Sequence, residues 1–234
     1  MDNKKENGLH VSRLRFTEAC NFTKIQHDPG DSEYSSQTFW SFVDKMKYSH
    51  EHNEKDIAPI TFPYFYTSKK LMDMERSAFR LNMGFFASAK FLEFINELVI
   101  SSYKPFEIFY KKRGKIYDDF CYIFFYSGLR QIIDFKKSTF SINHFHTNEL
   151  ITENVRVHNV EDFFLQNRKL ILEFKHTLNF EKIYFYDSIL NFDLFPIYLT
   201  GIDFYVSERF IEQFNIKKLT GHIDFIPETR FYIS

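Results

Sequence analysis

His144 and His146 flank Phe145 in the run NHFH, where two imidazoles stand two residues apart. In an extended chain such residues share a face, so both rings can turn toward one metal ion. A catalytic zinc normally takes a third protein ligand. Asp134, Glu149, His158 and His176 are present, but no local spacing selects one of them. Polar residues alternating with an aromatic also describe the solvent face of a strand, and this plainer reading is preferred. His50 and His52, beside Glu51, Glu54 and Asp56, also carry ligand chemistry. Their segment, SHEHNEKD, reads as a solvated loop, whereas metal ligands have to be held in place.

The nucleophile candidates are weaker. Ser127 lies in FYSGL, which lacks the first glycine of a G-x-S-x-G elbow. Ser88 and Ser207 each precede a helical pattern and are better used as N-caps. Cys121 sits in an apolar aromatic run where a buried, inert thiol is expected. The carboxylate pairs Asp118–Asp119 and Glu161–Asp162 are adjacent in sequence, not disposed around a cleft as acid and base. Lys111, Lys112, Arg113 and Lys115 make the one dense basic cluster, in KKRGK; no phosphate-binding glycine pattern surrounds it, and hairpin turns are commonly charged. No catalytic residue, metal or cofactor is assigned, and an enzyme is not expected.

Composition bounds the classes further. Of 234 residues, 44% are apolar and 26% charged, which argues for a folded chain. Aromatic content is high, with 31 Phe and 14 Tyr against one Trp, and aromatics favour strands. A net charge of −1 gives neither the basic field of a general nucleic-acid binder nor the acidic one of a DNA mimic. Cys20 and Cys121 form no disulfide framework. The opening MDNKKENGLH is polar, so no signal peptide is expected, and the apolar runs are too short to span a bilayer. A cytoplasmic location without membrane or nucleic-acid partners is expected.

The elements that must position these residues follow from periodicity. Residues 11–16 alternate as a strand, residues 39–48 carry helical spacing, and Pro59 and Pro63 force ITFPYFY to be extended. Residues 81–87 predict a strand, Ser88 a cap and 89–100 a helix, with Pro105 ending that unit. Runs 106–110 and 116–126 predict a hairpin turning at Gly114, and 132–135 and 139–145 continue the strands. After a polar stretch over 152–159, strands are expected at 169–174, 183–186, 202–206 and 222–226, with a helix over 207–215. FFASAKFLEFIN at 85–96 matches FYVSERFIEQFN at 204–215 in five of twelve positions, and each is followed by an apolar strand. The expected fold is α+β, with largely antiparallel, aromatic-rich sheets, a few short helices and two pseudo-repeated strand–helix–strand lobes. One domain, 1–234, is expected, with an N-terminal extension and variable region over 1–58 and lobes at 59–150 and 151–234.

Residues 117–138, YDDFCYIFFYSGLRQIIDFKKS, resemble the middle motif of bacterial immunity protein family eleven. That motif is an aromatic strand, a loop, then an apolar pair leading into Asp and Ser; Ile132, Ile133, Asp134 and Ser138 fill those places. Residues 204–227 look like its closing pattern of strand, V-S-E-[KR], short helix and T-G turn, here Thr220 and Gly221. ASAKFLEFI resembles the family's upstream version of that pattern. Residues 124–126 lack the Asn usual in the family's aromatic strand. The resemblance, over about residues 60–230, implies an antitoxin that binds a cognate secreted or contact-delivered toxin domain stoichiometrically. It implies no catalytic residue; Asp134 and Ser138 are expected to make a local turn bond. The alternatives are a metal-dependent hydrolase using His144 and His146, and an RNA- or phosphate-binding module using the 111–115 turn.

Overall fold

The aromatic runs fold as strands because bulky rings pack well on a pleated, half-buried surface. The computed structural model describes residues 8–17, 22–26, 41, 62, 64–67, 71–76, 84–126, 129–199 and 203–234. Its strands are β1 (Val11–Phe16), β2 (Phe22–Gln26), β3 (Tyr64–Thr67), β4 (Met74–Arg76), β5 (Gly84–Ser88), β6 (Tyr103–Lys112) and β7 (Lys115–Phe125). They continue as β8 (Thr139–His144), β9 (Leu150–Val155), β10 (His176–Phe185), β11 (Leu194–Ile197), β12 (Asp203–Ser207), β13 (Ile223–Glu228) and β14 (Phe231–Ile233). The described helices are α1 (Ala89–Ile95), α2 (Val160–Phe174) and α3 (Glu208–Ile216). The protein is thus α+β, with largely antiparallel pairing; only β3–β6 and β10–β14 are parallel among the described strand pairs.

Three sheets are built, in the orders β2-β3-β6-β7-β5-β4, β11-β12-β1-β13 and β14-β10-β8-β9. The second divides two cores, because side chains alternate across a strand. Leu14, Phe204 and Val206 join the first core, against the six-stranded sheet, α1 and α3. Val11, Phe195 and Tyr205 join the second, against β8, β10 and α2. Close approach of β5 and β7 requires Gly84, where a Cβ would stand 1.9 Å from the Ile123 carbonyl oxygen.

The repeat is visible in the topology. β4-β5-β7-β6 and β11-β12-β1-β13 have the same order and the same antiparallel pairings. In the second unit, the place of β7 is taken by β1, from the opposite end of the chain. The 150/151 division falls inside β9, and residues 1–58 supply both β1 and β2. The two units meet at aromatic contacts: Phe85 with Phe204 at 5.4 Å, and Phe94 with Phe210 at 5.1 Å between centroids.

Several local expectations are corrected. Residues 169–174 belong to α2, not a strand; Asn159 caps that helix and Glu161 and Asp162 occupy its first turn. The polar stretch at 152–159 begins within β9, an exposed edge strand with no buried side to impose alternation. Residues 132–135 form the end of a 3₁₀ turn over Arg130–Ile132 and a reverse turn. Pro105 lies inside β6, where β3 pairs only at Tyr110 and Lys111, so its missing N–H breaks no ladder bond. α1 ends at Ile95 rather than 100, with Asn96 as its C-cap. The 39–48 helix lies, except for Ser41, outside the described residues, as do His50, His52 and Ser127.

Candidate interaction surface

His144 and His176 are cross-strand partners on β8 and β10, and the turn after β8 carries Phe145 and His146. A row of rings results. Centroids are 6.2 Å apart for Phe174–His176, 5.9 Å for His176–His144, 6.0 Å for His144–His146 and 5.1 Å for His146–Phe145. The row is held by backbone: Phe145 N–H donates to the Lys175 carbonyl at 2.8 Å, and His144 N–H to the Glu149 carbonyl at 2.8 Å. Lys175 ends α2 in the left-handed conformation, φ +56°, which brings Phe174 beside the sheet end. The His144 Nδ1 accepts from the Thr147 N–H at 3.2 Å. His144, His146 and His176 therefore meet at one sheet end, but among the described residues no group of three or more His, Cys, Asp or Glu is placed to hold a metal ion.

Phe145 and Phe174 are 54% and 52% exposed. Leu150 and Ile151 on β9, and Leu165 and Leu172 on α2, are also exposed, although Leu165 and Leu172 lie on the side of the helix away from Phe174. Exposed aromatic rings on a hydrogen-bonded backbone make a surface suited to anchoring a partner.

Ser88 and Ser207 are caps, and more. Ser88 Oγ accepts from Phe91 N–H at 3.2 Å and donates to Asp73 Oδ1 at 2.8 Å. Ser207 Oγ accepts from Phe210 N–H at 3.1 Å and donates to Asp193 Oδ1 at 2.8 Å. Each aspartate then reaches the opposite unit. Asp73 Oδ2 accepts from the N–H and hydroxyl of Thr220, after α3, both at 2.9 Å. Asp193 Oδ2 accepts from Val99 N–H, after α1, at 3.0 Å. Burial raises the Asp73 carboxyl, but the Ser88 and Thr220 bonds and the Lys90 charge outweigh it and hold the group below its ordinary value. Sequence reasoning passed over both aspartates. The signal was an Asp just before the short strand of each copy, in MDMER and FDLFP.

The remaining candidates are structural or peripheral. Asp134 Oδ1 accepts from the Lys136 and Lys137 N–H groups, and Ser138 Oγ donates to the Asp134 carbonyl at 2.8 Å, the turn expected of this pair. Arg156 closes it by donating to the carbonyls of residues 136, 137 and 138. Burial pushes the Cys121 thiol up to about 12, which keeps it protonated and unreactive at neutral pH. The basic residues occupy the β6–β7 turn, where Arg113 and Gly114 have φ +50° and +80°, and Lys115 lies over the Tyr117 ring at 5.0 Å. Asp118 and Asp119 are exposed on β7. Asp162 accepts from Gln166 Nε2 and His158 N–H at the start of α2, so it serves that helix end.

Neither a protein-family model nor a curated protein matches the chain. No described helix is long and apolar enough to cross a membrane.

Proposed function

We propose that the protein is an immunity protein, acting in the cytoplasm by stoichiometric binding to a toxin domain and using the ring row of Phe174, His176, His144, His146 and Phe145 as an anchor. The observation that carries this reading is the exposure of two phenylalanines that end a row of ring contacts at one end of the β8–β10 pair. Binding surfaces concentrate their energy in such aromatic anchors. The motifs behind the family resemblance support it differently. Asp134, Ser138 and Ser207 make turns and caps, consistent with a scaffold whose activity is covering a partner.

Co-expression with the toxin encoded beside the gene tests the reading. The wild-type chain is expected to restore growth, and Phe145→Ala/Phe174→Ala to lose protection at unchanged melting temperature. Failure of the folded wild-type chain to protect would sink the immunity reading. Full protection by the double variant would remove the ring row from it.

A further inference from the structure

A polar cleft of about 320 Å³ opens between the β1/β12 sheet and the β8/β10 sheet. Arg13 pairs with Tyr205 across β1 and β12, so Arg13, Tyr205 and Asp203, two residues from Tyr205, share one face. Arg13 and Asp203 line the cleft on that side; Ser141, Asn143 and Asn179 face them, with Arg230 beside β14. Phe180 is the sole apolar lining residue.

The charges in this cleft are not all spent. Arg230 is committed to Glu228 through two bonds, from Nε at 2.7 Å and Nη2 at 2.6 Å. Arg13 and Asp203 interact only through space: neither has a side-chain hydrogen bond or an ion pair among the described residues. One buried polar atom of the lining also lacks a hydrogen-bond partner among the described residues, Asn179 Nδ2. Uncharged orphan atoms can be satisfied by water. An arginine and an aspartate that line one cleft without a hydrogen bond to each other are complementary to something that carries both signs, since charge-assisted hydrogen bonds are the strong ones.

We infer that the cleft binds a small zwitterion, a free α-amino acid with a polar side chain, its carboxylate on Arg13 and Asn179 and its ammonium on Asp203. The Ser141 and Asn143 wall favours a polar side chain over an aliphatic one. A volume near 320 Å³ accommodates an amino acid and is at the small end of ligand pockets. This site does not rest on the toxin-binding reading, although the two sites adjoin: Asn148 of the cleft donates its N–H to the His144 carbonyl at 2.9 Å.

Isothermal titration of the full chain with L-glutamine, L-glutamate, L-serine and L-leucine tests it. At least one polar amino acid is expected to bind at one per chain and L-leucine at least about tenfold more weakly. The N-acetyl derivative, which removes the ammonium, and the α-carboxamide, which removes the carboxylate, are each expected to weaken binding about tenfold or more. Arg13→Gln and Asp203→Asn should do the same. The derivative arms use the wild-type chain, so they stand even if a variant folds poorly. No saturable binding up to about 10 mM, or equal binding of the blocked derivatives, would overturn the inference.

Discussion

Replacing Asp193 by alanine removes one of the two aspartate acceptors that link the repeat units. Its side chain is 7% exposed, and it holds Ser207 Oγ at 2.8 Å and Val99 N–H at 3.0 Å. Hydrogen bonds to a charged group are worth about 1.5–3 kcal/mol each, so the pair contributes about 3 kcal/mol at the lower end. Arg209, 3.5 Å away but 59% exposed, adds about 0.5 kcal/mol at most. Ser207→Ala loses the cap, about 1 kcal/mol, together with its bond to Asp193. That bond is lost in both single variants, so the double variant should fall short of their sum by about 1.5 kcal/mol. Urea unfolding at unchanged slope measures all three. Protection against the toxin should survive Ser207→Ala, because the serine is structural. An Asp193→Ala cost below about 1 kcal/mol, or strictly additive single effects, would refute the clamp. Asp73→Ala should cost less per bond, since that side chain is 16% exposed.

Two carboxylates should give opposite pH dependences. Burial raises Glu228, but its bonds to Arg230 outweigh this and lower it, so its stabilisation is present above the unfolded value and lost as pH falls through the folded one. Burial holds Asp203 above 3.8, with Glu228 adding and Arg13 and Arg230 opposing; the folded state then keeps the proton longer, and stability falls as pH rises through the interval just above 3.8. In thermal melts across pH, Glu228→Gln should flatten the acid-side loss and Asp203→Asn should remove the opposite trend; reversed signs would contradict the assignments. Metal analysis of the purified chain and of His144→Ala/His146→Ala should show no stoichiometric zinc in either; zinc bound by the wild type and lost in the variant would favour a hydrolase. Neutralising Lys111, Lys112, Arg113 and Lys115 should leave protection intact, whereas salt-sensitive nucleic-acid binding lost with them would favour the RNA reading.

Local alternation made much of this fold legible. β1 runs over the six residues read as a strand, and both caps bond as the Ser-then-helix pattern required. What failed was local pattern without its context. In α2, LILEF looks like a strand until the window reaches Phe163 and the Asn159 cap, where the helical period emerges. β9 has no buried face, so no alternation marks it. Pairing between distant segments was hidden altogether: nothing local says that β1 lies between β12 and β13. The candidate surface was half legible. NHFH was conspicuous, but Phe174 and His176 join it only because α2 ends in a left-handed residue and β10 pairs with β8 in that register. Arg13, Asn179 and Asp203, far apart in sequence, carried no motif and meet only when two sheets face each other.

The most direct measurement is a titration of the purified toxin's own activity with the purified chain. Stoichiometric covering predicts a linear loss that ends at one chain per toxin, with the toxin recovered active when the complex is dissociated. Inactivation at a small fraction of one equivalent, or a toxin left chemically altered after separation, would identify a catalyst instead. No loss of activity at excess chain would contradict toxin neutralisation itself.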